Sequence, residues 1–358
     1  MEYLAKNIFV NPVIMNSTFN SGLTKEELNL ILKEHFELLL IEIKKIQPQD
    51  APENFKKGVR TAEAKWITNP KTADDFFLLS YAAQMDANYD KAIDYYQRTI
   101  ALDPFCTASY NNMGNTYFEG KQNYSKAIES YIKAIEINPN YEAAYYNMGR
   151  VFEEVRDYNK AIACYRKTIE IKPDYVDAYN QMGISYSKVK KYDEAIKCYE
   201  KAIQYKPDFA RAYYNMGLDY QQGKRDYNKA IDCYNKAIFC EPNYVDANLQ
   251  KGIIYFEVKK YDEAIKCFEK EILNNPNDAE TYLRMGDAYY DKKNDTEAIK
   301  WYEKAIIIKP DYARAYSNMG FAYINIGNKQ QGIACLQRAA RLGDEQARQR
   351  LREWGIDW

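Results

Sequence analysis

Gly114, Gly149, Gly183, Gly217, Gly252, Gly286 and Gly320 stand 35, 34, 34, 35, 34 and 34 residues apart. Pro104, Pro139, Pro173, Pro207, Pro242, Pro276 and Pro310 keep the same interval at another phase. A glycine at one phase of a fixed period and a proline at another mark a chain assembled from copies of one supersecondary unit. Such a unit cannot bury its apolar face alone, so it stacks on its neighbours instead of closing one globular core. Ser80, 34 residues before Gly114, marks a degenerate first copy. The other four prolines, Pro12, Pro48, Pro52 and Pro70, precede the periodic region.

Each copy resolves into two helices. In residues 142–175, Tyr145, Met148, Gly149 and Phe152 recur at i, i+3, i+4 and i+7, which is one face of a first helix. Ala161, Tyr165, Thr168 and Ile169 form the matching face of a second. The polar run RDYN at 156–159 predicts the turn between them, Pro173 ends the second helix, and Asp174 is placed to cap the next first helix. The two 35-residue units carry an extra residue and a glycine, Gly120 and Gly223, assigned to the inter-helix turn.

The order aromatic, Met or Leu, Gly, aromatic, Ala, aromatic, Ala, Pro within 34 residues resembles the tetratricopeptide repeat. Eight units match, at 73–106, 107–141, 142–175, 176–209, 210–244, 245–278, 279–312 and 313–346. The resemblance implies an all-α, right-handed superhelical solenoid of eight helix-turn-helix repeats. Ser80, Glu271, Gly332 and Asp344 depart from the pattern. At the C-terminal end, 344–358 is expected to form a capping helix, with Ala347 and Leu351 facing the last repeat.

Residues 1–72 do not fit the repeat. Residues 1–23 are expected to be an extended arm, and 24–72 a helical segment. Thr24 with Glu27 makes a capping box for a helix over 25–46, with a second helix over 53–67. The segment is either a cap on the first repeat or a docking or dimerisation module, the latter implying a homo-oligomer.

Catalytic material is scarce. The one histidine, His35, argues against His-based metal or nucleophilic sites, and the single, repeat-spaced glycines form no phosphate loop. Among the seven cysteines, Cys164, Cys198, Cys233 and Cys267 share one repeat position, so they read as reduced, packed side chains and not as a disulfide framework. A formal net charge of −1 gives no reason to expect nucleic acid or an anionic membrane. No secretory leader or spanning run is visible, which predicts a cytoplasmic protein. The reading is a non-enzyme with no cofactor and no metal.

What remains is recognition. In the family, the first-helix face opposite the packed side lines the concave surface. Its sixth repeat position holds Asn112, Asn147, Gln181, Asn215, Gln250, Arg284 and Asn318. A carboxamide matches both hydrogen-bonding groups of a peptide bond, so this row resembles the asparagine ladder in the O-GlcNAc transferase superhelix. Tyr146, Tyr214, Phe118, Phe256 and Tyr290 add aromatic surface, and groove charges number ten acidic against five basic. That balance predicts a basic or mixed-charge peptide and disfavours nucleic acid. Arg150 joins the candidate binding residues. The carboxylate clamp of chaperone-binding family members is matched at Asn115 and Asn147. It is broken where Asn111, Asp177 and Gln181 replace basic residues. The expected function is a scaffold gripping an extended peptide. The alternative is a regulatory module whose N-terminal segment self-associates or docks on an effector.

Overall fold

A computed structural model describes Lys44, residues 70–244 and residues 246–358. The expectations for the arm, for the helices over 25–46 and 53–67 and for His35 lie outside the described residues.

The described residues hold seventeen α-helices and two π-helical segments, with no strand. In chain order these are α1 (Ala73–Met85), α2 (Tyr89–Leu102), α3 (Thr107–Asn115), a π-segment (Thr116–Gly120), α4 (Tyr124–Ile137), α5 (Glu142–Glu154), α6 (Tyr158–Ile171), α7 (Val176–Lys188) and α8 (Tyr192–Tyr205). There follow α9 (Ala210–Leu218), a second π-segment (Asp219–Lys224), α10 (Tyr227–Cys240), α11 (Ala247–Glu257), α12 (Tyr261–Asn274), α13 (Ala279–Asp291), α14 (Asp295–Ile308), α15 (Ala313–Asn325), α16 (Lys329–Arg341) and α17 (Glu345–Glu353). The chain divides into two compact units, one ending at Ala178 and the other spanning Tyr179–Trp358.

Within each unit the packing is between neighbours in sequence. In the first, α1 packs on α2, α3 on α4 and α5 on α6, while α2 meets α3 and α4 meets α5. In the second, α9–α10, α11–α12, α13–α14 and α15–α16 make the pairs, and α10, α12 and α14 each meet the helix that follows. This is the contact scheme of an α-solenoid. Helix α17 lies on α16, with Ala347 and Leu351 fully buried against Leu336, Ala339 and Ala340.

The periodic glycine has a steric cause. A Cβ at Gly149 would sit 2.6 Å from the ring of Tyr165, and at Gly183 2.5 Å from Tyr199. Gly114–Tyr131, Gly217–Tyr234, Gly252–Phe268 and Gly286–Tyr302 repeat the arrangement. The first helix thus yields its side chain so that one aromatic ring of the second can lie against its backbone, where each ring is fully buried.

Three local expectations are corrected. At the start of α7 the Ala178 N–H goes to the Tyr175 carbonyl and not to Asp174. Side-chain caps sit mainly at the second helices, where Asn88, Asn123, Asp157, Asp226, Asn294 and Asn328 accept from the backbone N–H three residues on. The first helices α5, α9 and α15 begin after an aromatic residue, Tyr141, Phe209 or Tyr312, with no side-chain cap. The extra residue of the long units is taken up inside the first helix as a π-turn, not in the loop. Gly120 and Gly223 serve close approach there: their Cβ positions fall 2.4 Å from the ring of Tyr89 and 2.5 Å from that of Tyr192.

The inter-helix turns put Ala87, Gln122, Arg156, Lys190, Arg225, Lys259 and Lys293 in the left-handed region, with Gly327 the one glycine at that place. Near the start of α1, Lys44 Nζ lies 2.7 Å from a carboxylate oxygen of Asp74. All seven cysteines are free. Cys106, Cys164, Cys198, Cys233 and Cys267 are buried, and burial pushes the Cys164 and Cys233 thiols up to about 12. They pack as small apolar groups.

Candidate peptide-binding face

Four of the sixth-position carboxamides, Asn112, Asn147, Gln181 and Asn215, belong to hydrogen-bonded chains that run between repeats. In the first unit Asn147 Nδ2 donates to Asn111 Oδ1 at 3.1 Å, and Asn111 Nδ2 donates to Asn112 Oδ1 at 3.2 Å. In the second unit Asn215 Nδ2 donates to Asn180 Oδ1 at 3.0 Å, and Asn180 Nδ2 to Gln181 Oε1 at 3.1 Å. The expectation that Asn147 stands apart from the stack is corrected: it is 5 % exposed and its amide helps join one repeat to the next. Asn112 is equally enclosed, whereas Gln181, Asn215, Gln250, Arg284 and Asn318 are half-buried.

The fifth-position asparagines, Asn111 and Asn180, are fully buried and were missed as functional positions. Their signal was in the sequence: NN at 111–112 and NQ at 180–181 alternate with YN at 146–147 and 214–215. The period is two repeats, and the tyrosines show it too. Tyr146 stacks on Tyr175 with centroids 5.0 Å apart and lies 5.7 Å from Tyr165; Tyr214 stands 5.2 Å from Tyr244 and 5.8 Å from Tyr234. These rings therefore tie the first helix of their repeat to its second helix and to the turn that closes it.

A row of tyrosine hydroxyls reaches the same face from the second helices. Tyr96 donates to Gln84 at 2.8 Å, Tyr131 to Asn115 at 2.6 Å, Tyr165 to Glu153 at 2.5 Å, Tyr234 to Gln221 at 2.6 Å and Tyr302 to Asp287 at 3.0 Å. Asn115 is thereby 1 % exposed, with its carbonyl oxygen already used. Burial raises these phenols well above the usual tyrosine range, so they act as neutral donors throughout the physiological interval.

The charges on the face are largely paired. Arg150 Nη1 lies 3.1 Å from Glu119 Oε1, with its guanidinium 5.3 Å from the centroid of the Phe118 ring. Arg284 pairs with Glu280 at 2.7 Å, and Glu280 also accepts from the Tyr312 hydroxyl. Asp287 takes Arg314 at 3.1 Å, Asn318 at 2.8 Å and Tyr302. Three of the five basic groups are thus neutralised by carboxylates of the same face, which leaves Lys188 and Arg211 against a larger number of acidic groups. Asp219 is the outlier. It is 4 % exposed, accepts from Ser187 Oγ at 2.5 Å through Oδ1, and has no partner at Oδ2. Burial pushes its carboxyl up to about 6.

Three tetratricopeptide models match: one described as "TPR repeat" at 121–155 and 286–327, and two described as "Tetratricopeptide repeat" at 142–209, and at 245–278 and 313–342. Together they span about half of the chain. The chain belongs to the tetratricopeptide repeat family. The related Sel1 repeat model matches at 77–104 and 210–238. Among curated proteins none matches.

Two solved structures, with TM-scores of 0.52 and 0.50, agree on the fold. The APC/C hetero-tetramer Cut9–Hcn1 aligns over 75 % of this chain and 52 % of that one, at 17 % identity and a TM-score of 0.52. PilF of Pseudomonas aeruginosa aligns over 58 % of this chain and 94 % of its own, at 19 % identity and a TM-score of 0.50. MamA is 30 % identical over 46 % of this chain and 95 % of its own, with a TM-score of 0.43. As in the family at large, this tetratricopeptide array is a protein-interaction scaffold. No helix among the described residues is long and apolar enough to cross a membrane.

Proposed function

We propose that the array binds an extended peptide segment along its first-helix face, with the sixth-position carboxamides meeting the peptide backbone. The observation that carries this reading is the polarity of the two carboxamide chains. Half-buried Asn215 spends Nδ2 on the preceding repeat, which directs its donor along the stack and leaves its carbonyl oxygen for a ligand's N–H group, while buried Asn147 repeats the same polarity. The surplus of carboxylates points the same way, toward a partner rich in donors and positive charge. Gln181, Gln250 and Asn318 are the more accessible rungs. The buried Asn112, Asn115 and Asn147 act chiefly by holding register.

The test is to select peptides on the full-length chain from a random library and measure their affinity by fluorescence anisotropy. Gln181→Ala with Gln250→Ala is expected to weaken the selected peptides at least ten-fold while leaving the melting transition in place. Undiminished affinity in that double variant rejects the ladder. We keep a second reading for the N-terminal segment. The contact between Lys44 and Asp74 supports its folding against the first repeat, and concentration-dependent mass of the full chain against a 73–358 variant separates this from self-association.

A further inference from the structure

Helix α17 covers only part of α16. First helices such as α5, α13 and α15 have 13 residues, and α17 has nine. Its buried contacts, Ala347 and Leu351 against Leu336, Ala339 and Ala340, fall on the second half of α16. Beyond Trp354 the chain turns back at Gly355, whose φ is +66°. There the Gly355 and Ile356 N–H groups donate to the Arg352 and Leu351 carbonyls, both at 3.0 Å. Gln337 Nε2 of α16 then donates to the Asp357 carbonyl at 2.6 Å. Over the first half of α16 this path leaves a cavity of about 360 Å³, lined by Ile324 of α15, Lys329 and Ile333 of α16, Trp354 and Ile356. Gly332, where the repeat pattern has alanine, lets Ile324 lie against α16: a Cβ there would sit 2.5 Å from Ile324 Cγ1.

The cavity walls are three isoleucines and an indole, and the one charged group among them is Lys329. Lys329 is exposed, and its ammonium has no ion pair among the described residues. The carboxylates of α17 are committed elsewhere: Asp344 caps the helix, Glu345 takes Arg348 and Arg352, and Glu353 takes Arg350. Residues 329–358 carry six basic side chains against four acidic, whereas the whole chain has 50 and 51. An apolar cavity of ligand size, with one unmatched cation at its edge and a basic surround, selects an anion with an apolar body. We propose that this cavity binds a small amphiphilic carboxylate of the fatty-acid type, its chain against Ile324, Ile333, Trp354 and Ile356 and its head group on Lys329. Burial of the chain supplies the larger part of the affinity, and the ion pair orients the ligand and discriminates by charge. An alcohol of the same chain length forgoes that second contact, and a cation of that length is repelled by it.

The test is isothermal titration of the full chain with octanoate, octanol and octyltrimethylammonium. Octanoate is expected to bind, with the alcohol about five-fold weaker and the cation weaker still. Lys329→Glu, at an exposed position, is expected to cut octanoate affinity about ten-fold and to leave that of octanol unchanged. Ile333→Phe fills the cavity and is expected to abolish binding of both, with its melting transition reporting whether the fold survives. Should that variant unfold, Lys329→Glu still decides the matter. Absence of octanoate binding, equal affinities for octanoate and octanol, or octanoate affinity unmoved by Lys329→Glu overturns the assignment. A dimer in sedimentation that Lys329→Glu disperses overturns it equally, since the cavity then receives a second copy of the chain.

Discussion

Tyr131 Oη donates to Asn115 Oδ1 across the 2.6 Å between the second and first helices of one repeat, and the pair varies as a unit along the array. At five of the six tyrosines the first helix supplies an acceptor: Gln84, Asn115, Glu153, Gln221 or Asp287. Where the hydroxyl is gone, at Phe268 and Leu336, the neighbouring first-helix residues Ile253 and Phe256, or Phe321 and Ile324, are apolar. A buried hydroxyl with no acceptor forfeits its hydration, which is reason enough for both partners to change together.

Installing one partner without the other should therefore cost stability. Phe268→Tyr is expected to destabilise the array by about 1–2 kcal/mol, and Tyr131→Phe by a similar ~1–2 kcal/mol because Asn115 loses its donor. Urea unfolding followed by circular dichroism measures both. A neutral Phe268→Tyr would show that its hydroxyl finds water.

The glycine–tyrosine approach gives a larger effect. Gly183→Ala places a methyl 2.5 Å from the Tyr199 ring. The expected loss is about 1–3 kcal/mol, because two close-packed helices must separate. Gly343, with open space around its Cβ position but φ at +100°, tests backbone strain instead, and Gly343→Ala is expected to cost about 1 kcal/mol.

Left-handed residues at the inter-helix turns offer a gain. Lys190 and Lys259 both have φ of 61°, a conformation that costs a side-chain-bearing residue roughly 1 kcal/mol and glycine much less. Lys190→Gly and Lys259→Gly are each expected to stabilise by about 0.5–1 kcal/mol, and the double variant by their sum. Thermal unfolding of the three proteins checks additivity.

Asp219 should leave a trace in the pH dependence of stability. Its carboxyl, ordinarily near 3.8, is raised to about 6 by burial, so the folded chain keeps a proton that the unfolded chain releases. Stability falls as pH rises through this window, because the unfolded state binds fewer protons there. Asp219→Asn is expected to keep the Ser187 contact, abolish that slope and raise stability at pH 7.5 by about 1–2 kcal/mol. Denaturant titrations at pH 4, 5, 6 and 7.5 compare the two proteins. An unchanged slope assigns the pH dependence elsewhere.

The helical pairs were legible in the sequence because their cause is local in kind: Gly149 must face Tyr165, and that demand returns every 34 or 35 residues. The identity of the cap was not. Asp157 and Asp174 both precede a helix by one or two residues, and only the chain path shows that Asp157 reaches Lys160 N while first helices such as α5, α9 and α15 open on an aromatic residue. The face was half legible. A helical wheel separates Asn147 from Met148 and Gly149, but it represents one helix at a time and cannot display a bond to Asn111 in the preceding repeat. The π-turns were invisible for a related reason, since an added residue in a helix and one in a loop lengthen the period equally.

Those π-turns bear on how such an array changes over generations. Thr116–Gly120 and Asp219–Lys224 each absorb one residue within the first helix, and the ring of Tyr89 or Tyr192 settles onto the glycine that results. The second helix beyond each begins with its usual tyrosine and its usual cap, Asn123 or Asp226. A single inserted codon is thus contained within a few ångströms of where it arose. Copies of unequal length can be duplicated, shuffled and spliced without propagating a frame error down the stack.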